Sequence, residues 1–222
     1  TQNGIRGGSA TVHFPIWHQE IQDILVLKNN KGTEDNRVRK LDYSIQLSKL
    51  FYERFIQNGT ISLFSPHDVP GLYDAFGGDT FDELYTRYES DESIPRSTID
   101  AQELILDLLK ERAETGRIYI MNIDHCNTHS SFKDKVYMSN LCQEITLPTD
   151  PIQHIDGGGE IALCILSAVN VGKLRNLDEM EELCDLSVRA LEELIDYQKY
   201  PVEAARKSTL ARRSLGIGYI GL

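Results

Sequence analysis

The 222-residue sequence is short of cysteine, has a single tryptophan, and carries no long apolar run. Its four cysteines lack regular close spacing, which excludes a disulfide framework and points to a reduced, cytoplasmic protein. The longest apolar stretches, such as Ile161 to Leu166, fall far below the roughly 18 residues of a membrane span, so no membrane partner is expected. An excess of positive charge is missing too. Lys and Arg number 23 against 34 Asp and Glu, and the net charge of −11 argues against nucleic acid as a partner. The opening residues do not resemble a secretion signal, so Asn58-Gly59-Thr60 is a chance match to the glycosylation sequon. What is present is the make-up of a folded domain: 41% hydrophobic and 26% charged residues exclude disorder and fibres.

The chain opens at Thr1 in a glycine-rich turn and closes at Leu222 in apolar sequence, which reads as a segment of a longer protein. Ala10 to Phe14 reads as a strand, and Glu20 to Leu27 as a helical stretch. Lys28 to Lys40 is a charged connector. A helix is expected from Asp42 to Gln57, with Leu47, Leu50, Phe51 and Phe55 as its stripe and Asn58-Gly59 as its stop. Ile61 and Leu63 mark a brief strand, and Phe81 to Tyr88 a short acidic helix. Ser97, with Asp100 three residues on, reads as the start of a helix that carries Ala101, Leu104, Ile105, Leu108 and Leu109 and stops at Gly116. Arg117 to Ile123 and Met138 to Leu147 alternate as strands, with Asp124 to Ser131 a polar turn between them. Asp156 to Gly159 reads as a tight loop, and Ile161 to Ser167 as a buried strand or turn. The last helix covers Asp178 to Tyr197, with Leu183, Ala190, Leu191 and Leu194 inside and Asn176 at its start. Helices alternating with strands give an α/β fold class.

The richest chemistry lies in Ser139-Asn140-Leu141-Cys142-Gln143-Glu144. On an extended strand Asn140, Cys142 and Glu144 share a face, lining up an amide, a thiol and a carboxyl group. That row suits a polyol: Glu144 takes a hydroxyl proton, Asn140 bonds a neighbouring oxygen and Cys142 meets the carbon between them. The plain alternative is a wet strand face with a small packed cysteine. Cys164 and Cys184 read as packed thiols on their surroundings. Asp124, His125, Cys126 and His129 offer four potential metal ligands in six residues, either as a metal-dependent hydrolase site or as a self-satisfied turn. Gly216-Ile217-Gly218-Tyr219-Ile220-Gly221 fits the dinucleotide spacing but lacks the strand-before, helix-after context. Gly4-Ile5-Arg6-Gly7-Gly8 joins a permissive backbone to a five-donor guanidinium, suited to a nucleotide-responsive loop, a non-catalytic nucleotide-binding module or a plain turn.

In order along the chain, Gly4 to Thr11, Leu25 to Asn30, Leu63 to Pro66, Val69 to Asp74, Thr115 to Tyr119, Asp124 to His129, Ser139 to Cys142 and Gly159 to Cys164 together resemble class I ribonucleotide reductase large subunits of the T4-like phage and enteric type. The resemblance implies an α/β fold, a ten-stranded barrel of two five-stranded halves with a central finger loop. Residues 1–222 would form the central portion of that barrel, incomplete and unclosed. It implies that Cys142 becomes the thiyl radical that removes the ribose 3′ hydrogen and that Glu144 takes the 3′-hydroxyl proton. Asn140 would hold the substrate beside Leu141, and Cys164 would be one of two reducing thiols. Arg6 would touch substrate, and Gln2, Gly4, Ile5, Arg6 and Gly7 would belong to the loop that reads a dNTP effector. Asn3 stands where the family pattern expects glycine, and the Asp156 to Gly159 loop is shorter than the family's.

The implied partners are a small (beta) subunit carrying a diiron–tyrosyl radical, a second large subunit, any large-subunit segments outside this chain, and thioredoxin or glutaredoxin as reductant. The effectors are dNTP and ATP. No cofactor or metal is expected in the chain itself, and the 222 residues alone are expected to be catalytically silent.

Overall fold

The computed structural model describes residues 4–5, 7–154 and 158–222. The chain divides into two compact units, Thr1–Leu147 and Pro148–Leu222.

In the first unit, β1 (Thr11–Pro15), β2 (Asp42–Leu47) and β5 (Ile118–Asn122) form a parallel sheet in the order β1-β2-β5. Parallel neighbours need long crossovers, and the intervening residues supply them. Between β1 and β2 lies α1 (Ile21–Leu25). Between β2 and β5 come α2 (Lys49–Ile56), the antiparallel pair β3 (Thr60–Leu63) and β4 (Ser97–Asp100), and α3 (Leu72–Ala75), α4 (Phe81–Ser90) and α5 (Ala101–Thr115). A short helix, α6 (Ile123–Thr128), follows β5 directly.

The expected helix from Asp42 is corrected here. Asp42–Leu47 is the central strand, and only Lys49–Ile56 is helical. Tyr43, Ile45 and Leu47 alternate with Ser44 and Gln46, and all five are buried because both faces of the strand are covered. Ser97 likewise begins β4 rather than a helix. The cap is Asp100 itself, whose side chain accepts from the amides of Gln102 and Glu103. Gly116, at φ +66, ends α5 in the left-handed conformation that glycine adopts without strain.

Aligned residues of a parallel pair face the same way, so this sheet has two chemically different faces. Val12, Phe14, Tyr43, Ile45, Leu47, Ile118 and Ile120 join the apolar core, with the Phe14 and Tyr43 rings stacked 6.4 Å apart. The opposite face carries Thr11, His13, Ser44, Gln46 and Met121. The core continues into an aromatic cluster of Trp17, Phe51, Phe64, Phe76, Phe81 and Tyr85. There the buried Tyr85 hydroxyl accepts from the Ser62 amide at 2.9 Å and donates to the Ser62 carbonyl at 2.7 Å.

In the second unit β6 (Ile165–Asn170) pairs in parallel with β7 (Leu215–Ile220), and the crossover holds α7 (Leu177–Tyr197) and α8 (Glu203–Arg212). Asn176 caps α7 as expected, accepting from the Glu179 amide. The inner face of α7 is set one step away from the expected one. Leu191 and Ile195 are buried, Leu183 is half-buried, and Ala190 and Leu194 are exposed. Gly216 and Gly218 of the dinucleotide-like run lie within β7, where a strand leaves no phosphate-cradling turn, and Gly221 follows the strand's last residue at φ +75. Gly216 instead lets the strands close up: a Cβ there would sit 2.6 Å from Leu166 Cδ2 and 3.2 Å from Cys164 Sγ. Asp156 and Gly157 of the expected tight loop lie outside the described residues. Gly159, at φ +91, passes so near the Ile152 backbone that a Cβ would approach it to 2.5 Å. No helix among the described residues is long and apolar enough to cross a membrane.

Candidate functional site

The segment that follows α6 crosses the polar face of the β1-β2-β5 sheet and is tied down at successive points. Gln46 Nε2 donates to the Tyr137 carbonyl at 2.6 Å, and His13 Nε2 lies 3.1 Å from the Ser139 carbonyl. Since that carbonyl can only accept, His13 carries its proton on Nε2. The Thr11 hydroxyl donates to the Leu141 carbonyl. The Ser44 hydroxyl donates to Gln143 Oε1 at 2.6 Å, and Gln143 Nε2 donates to the Ile120 carbonyl at 2.7 Å. Polar side chains on parallel strands therefore do for this segment what a neighbouring strand would otherwise do.

Met138 to Leu147 consequently does not form the expected strand. The chain turns at Leu141 and Cys142, where the Gln143 amide donates to the Asn140 carbonyl at 3.2 Å and Gln143 sits at φ +60. Below the turn, Asn140 Oδ1 accepts from the Ile145 amide at 3.1 Å, and the Ser139 hydroxyl donates to the Ile145 carbonyl. The shared β-face of Asn140, Cys142 and Glu144 is thus replaced by a closed loop. Asn140 is half-buried at its neck, and Cys142 and Glu144 are exposed on its far side. The Ile145 amide must find an acceptor, which fixes the orientation of the Asn140 amide and leaves Nδ2 as the end that can donate to a ligand.

An open cleft of about 340 Å3 adjoins the loop, lined by Met121, Asn122, His125, Cys126, His129, Gln143 and Thr146. Its wall is α6, not the expected polar turn at Asp124 to Ser131. Here β5 hands over to a helix at once, and the backbone carbonyls of Ile123 and Asp124 bond the side chains of Asn127 and Thr128. Asp124, His125, Cys126 and His129 do not gather as the ligands of one metal ion. Asp124 Oδ2 accepts from the Lys49 amide at 2.5 Å, and the rings of His125 and His129 meet edge-on at 5.5 Å. Among the described residues no group of three or more His, Cys, Asp or Glu is arranged to hold a metal ion. Burial, followed by the charge of Asp124, pushes the Cys126 thiol above its ordinary pKa. Burial holds the His13 imidazole below its ordinary value, an effect the Ser139 carbonyl partly offsets.

Cys164 belongs to the second unit, half-buried at the entrance to β6. Glu160, buried, pairs with Arg212 at 2.9 Å and accepts from the Asp150 amide, and the guanidinium holds its carboxyl below the usual range. Of the glycine-rich opening, Gly4, Ile5 and Gly7 are exposed, Gly4 at φ +78. Gln2 and Arg6 lie outside the described residues. The residues missed from sequence are Thr11, His13, Ser44, Gln46 and Gln143. The one local signal for them was the recurrence of polar residues at every second position of β1 and β2.

The whole chain, residues 1–222, matches the family described as "Ribonucleotide reductase, barrel domain". It is 61% identical to ribonucleoside-diphosphate reductase subunit alpha of Haemophilus influenzae over 99% of its length. It is 55% identical to ribonucleoside-diphosphate reductase 1 subunit alpha of Escherichia coli, again over 99%, and 46% identical to the subunit alpha of Enterobacteria phage T4 over 98%. The chain spans about 30% of the length of each of these relatives. Parallel β/α elements without a closed barrel among the described residues fit part of such a domain. The chain therefore belongs to the ribonucleotide reductase barrel-domain family.

Proposed function

We propose that the protein carrying this chain reduces ribonucleoside diphosphates to deoxyribonucleoside diphosphates for DNA synthesis, with Cys142 as the hydrogen-abstracting group. The observation that carries the reading is the braced loop. Cys142 and Glu144 stand exposed on a turn held down at Tyr137, Ser139, Leu141 and Gln143 by the strands beneath it. A group that must meet one C–H bond needs this kind of fixed approach.

In this reading Cys142, as a thiyl, takes the ribose 3′ hydrogen while Glu144 accepts the 3′-hydroxyl proton. Asn140, its Oδ1 held by Ile145, donates through Nδ2 to a substrate oxygen, and the Leu141 backbone lies beside it. Cys164 and a second thiol of the whole protein give up two electrons and two protons and become a disulfide. The 2′ C–O bond breaks and its oxygen leaves as water with one of those protons, the other becomes the hydrogen of the new C2′–H bond, and the hydrogen held by Cys142 returns to C3′. The one-electron oxidation of Cys142 draws on diiron–tyrosyl radical chemistry in a small partner subunit. Gly4, Ile5 and Gly7, with Gln2 and Arg6, are assigned to a loop that senses a dNTP effector, and Arg6 also to substrate. ATP is a further effector, the large subunit pairs with a second copy, and thioredoxin or glutaredoxin restores the dithiol. The 222 residues alone are expected to be inactive.

The test is a turnover assay of the full-length protein with its small subunit, an effector and a dithiol. One deoxynucleoside diphosphate per dithiol oxidised is expected, and Glu144→Gln is expected to remove turnover while substrate still binds. Absence of deoxy product from all four diphosphates would contradict the proposal.

A further inference from the structure

We propose that Gln143 is a positioning residue for the Cys142 thiol, acting through a clasp with Ser44 and the Ile120 carbonyl. Both chain neighbours of Cys142 are tied to the sheet: Leu141 to β1 through Thr11, and Gln143 to β2 and β5 through its own side chain. Cys142 is thus the exposed residue between two anchored ones, and all three strands of the sheet take part in holding it.

The clasp is specific in its chemistry. Ser44 is fully buried, and its hydroxyl needs an acceptor, which Gln143 Oε1 supplies. The Ile120 carbonyl needs a donor, which Gln143 Nε2 supplies. Two bonds at the two ends of one planar amide fix its rotation as well as its position. Gln143 also holds a left-handed backbone conformation, φ +60, that a side chain with a Cβ seldom adopts. Glycine would take that conformation with less strain, but it could make neither bond. A glutamine at this position therefore answers to its side-chain contacts rather than to the needs of the backbone.

The kinetic consequence rests on the reductase reading of Cys142. A thiol displaced by a fraction of an ångström to an ångström loses the approach its reaction needs, without loss of substrate contacts made elsewhere. In the full-length protein assembled with its small subunit, Gln143→Gly, Gln143→Leu, Ser44→Ala and the double variant Ser44→Ala/Gln143→Leu are compared with Cys142→Ser. Gln143→Gly and Gln143→Leu are expected to lower kcat by about tenfold to a hundredfold. KM for the diphosphate should stay within about twofold, and Ser44→Ala should lower kcat less because one of the two bonds survives. Because Ser44 and Gln143 act as one unit, the double variant should fall no further than Gln143→Leu alone. Gln143→Gly is the decisive variant, since it removes both bonds of the clasp at a backbone conformation that glycine adopts without strain. Wild-type kcat in Gln143→Gly, a loss confined to KM, or losses that multiply in the double variant would each overturn the clasp. Turnover retained by Cys142→Ser would instead remove the reductase reading beneath it, so the two failures are told apart.

Discussion

Replacing Tyr85 with phenylalanine isolates one hydroxyl at the centre of the first unit. Tyr85 is completely buried, and its ring packs on Phe51, Phe64 and Phe81, contacts a phenylalanine ring keeps. What is lost is a pair of bonds to a single residue, the Ser62 amide at 2.9 Å and the Ser62 carbonyl at 2.7 Å. Ser62 is aligned with Thr98 across the β3-β4 pair, yet both of its backbone groups turn to Tyr85. It therefore occupies a non-hydrogen-bonded position of the antiparallel ladder, and the hydroxyl covers the free edge of β3. Removing it leaves a buried N–H and a buried C=O unsatisfied, each costing about 1–3 kcal/mol. With partial relaxation the loss should be about 2–4 kcal/mol.

Equilibrium denaturation of wild type and Tyr85→Phe side by side measures this loss. The pH dependence supplies a second arm. Burial, followed by the charge of Glu89, raises the Tyr85 phenol above its ordinary pKa, so the folded state favours the protonated form. Its contribution is complete below the unfolded pKa of about 10 and is lost as pH rises beyond that. Wild type should therefore lose stability relative to Tyr85→Phe above about pH 10. A destabilisation below about 0.5 kcal/mol at neutral pH would refute the reasoning, because it would mean the Ser62 groups were never dependent on the hydroxyl.

Two further outcomes follow from the structure. Asp100→Ala removes the acceptor of the Gln102 and Glu103 amides at the start of α5 and should lower stability by about 1 kcal/mol in thermal or urea unfolding; an unchanged midpoint would contradict the capping role. Burial lowers the His13 pKa, so its neutral form belongs to the folded state, and its contribution is complete above the unfolded value of about 6.5 and lost as pH falls below it. His18 shifts the same way. Wild type should therefore weaken between about pH 7 and pH 5, and His13→Gln should weaken less, as read from denaturation midpoints across that range. Equal slopes for the two proteins would contradict the buried neutral state of His13.

Much of the fold was legible because local chemistry fixed it. The Asn176 cap, the Gly116 stop and the alternation of β5 each depend on residues within a few positions of one another. The errors arose where a distant partner decides. Asp42–Leu47 carries enough apolar residues to suit a helix, and only pairing with β1 and β5 makes it a strand. Met138 to Leu147 alternates as a strand should, but its hydrogen-bond partners include the side chains of Thr11, His13 and Ser44, up to 130 residues away in sequence, while Gln46 holds Tyr137 just before it. The identities of Asn140, Cys142 and Glu144 were readable from the sequence, whereas their arrangement on a closed loop was not, because beside the short bonds of Ser139 and Asn140 to Ile145 it depends on Thr11 and Ser44 holding Leu141 and Gln143 from afar.

The role proposed for Cys142 is to abstract hydrogen from a bound ribonucleotide. The most direct measurement replaces its sulfur with oxygen in the full-length protein, Cys142→Ser, and follows deoxynucleotide formation and diphosphate binding together. Turnover should vanish with the dissociation constant nearly unchanged; deoxynucleotide formed at an appreciable fraction of the wild-type rate would contradict it.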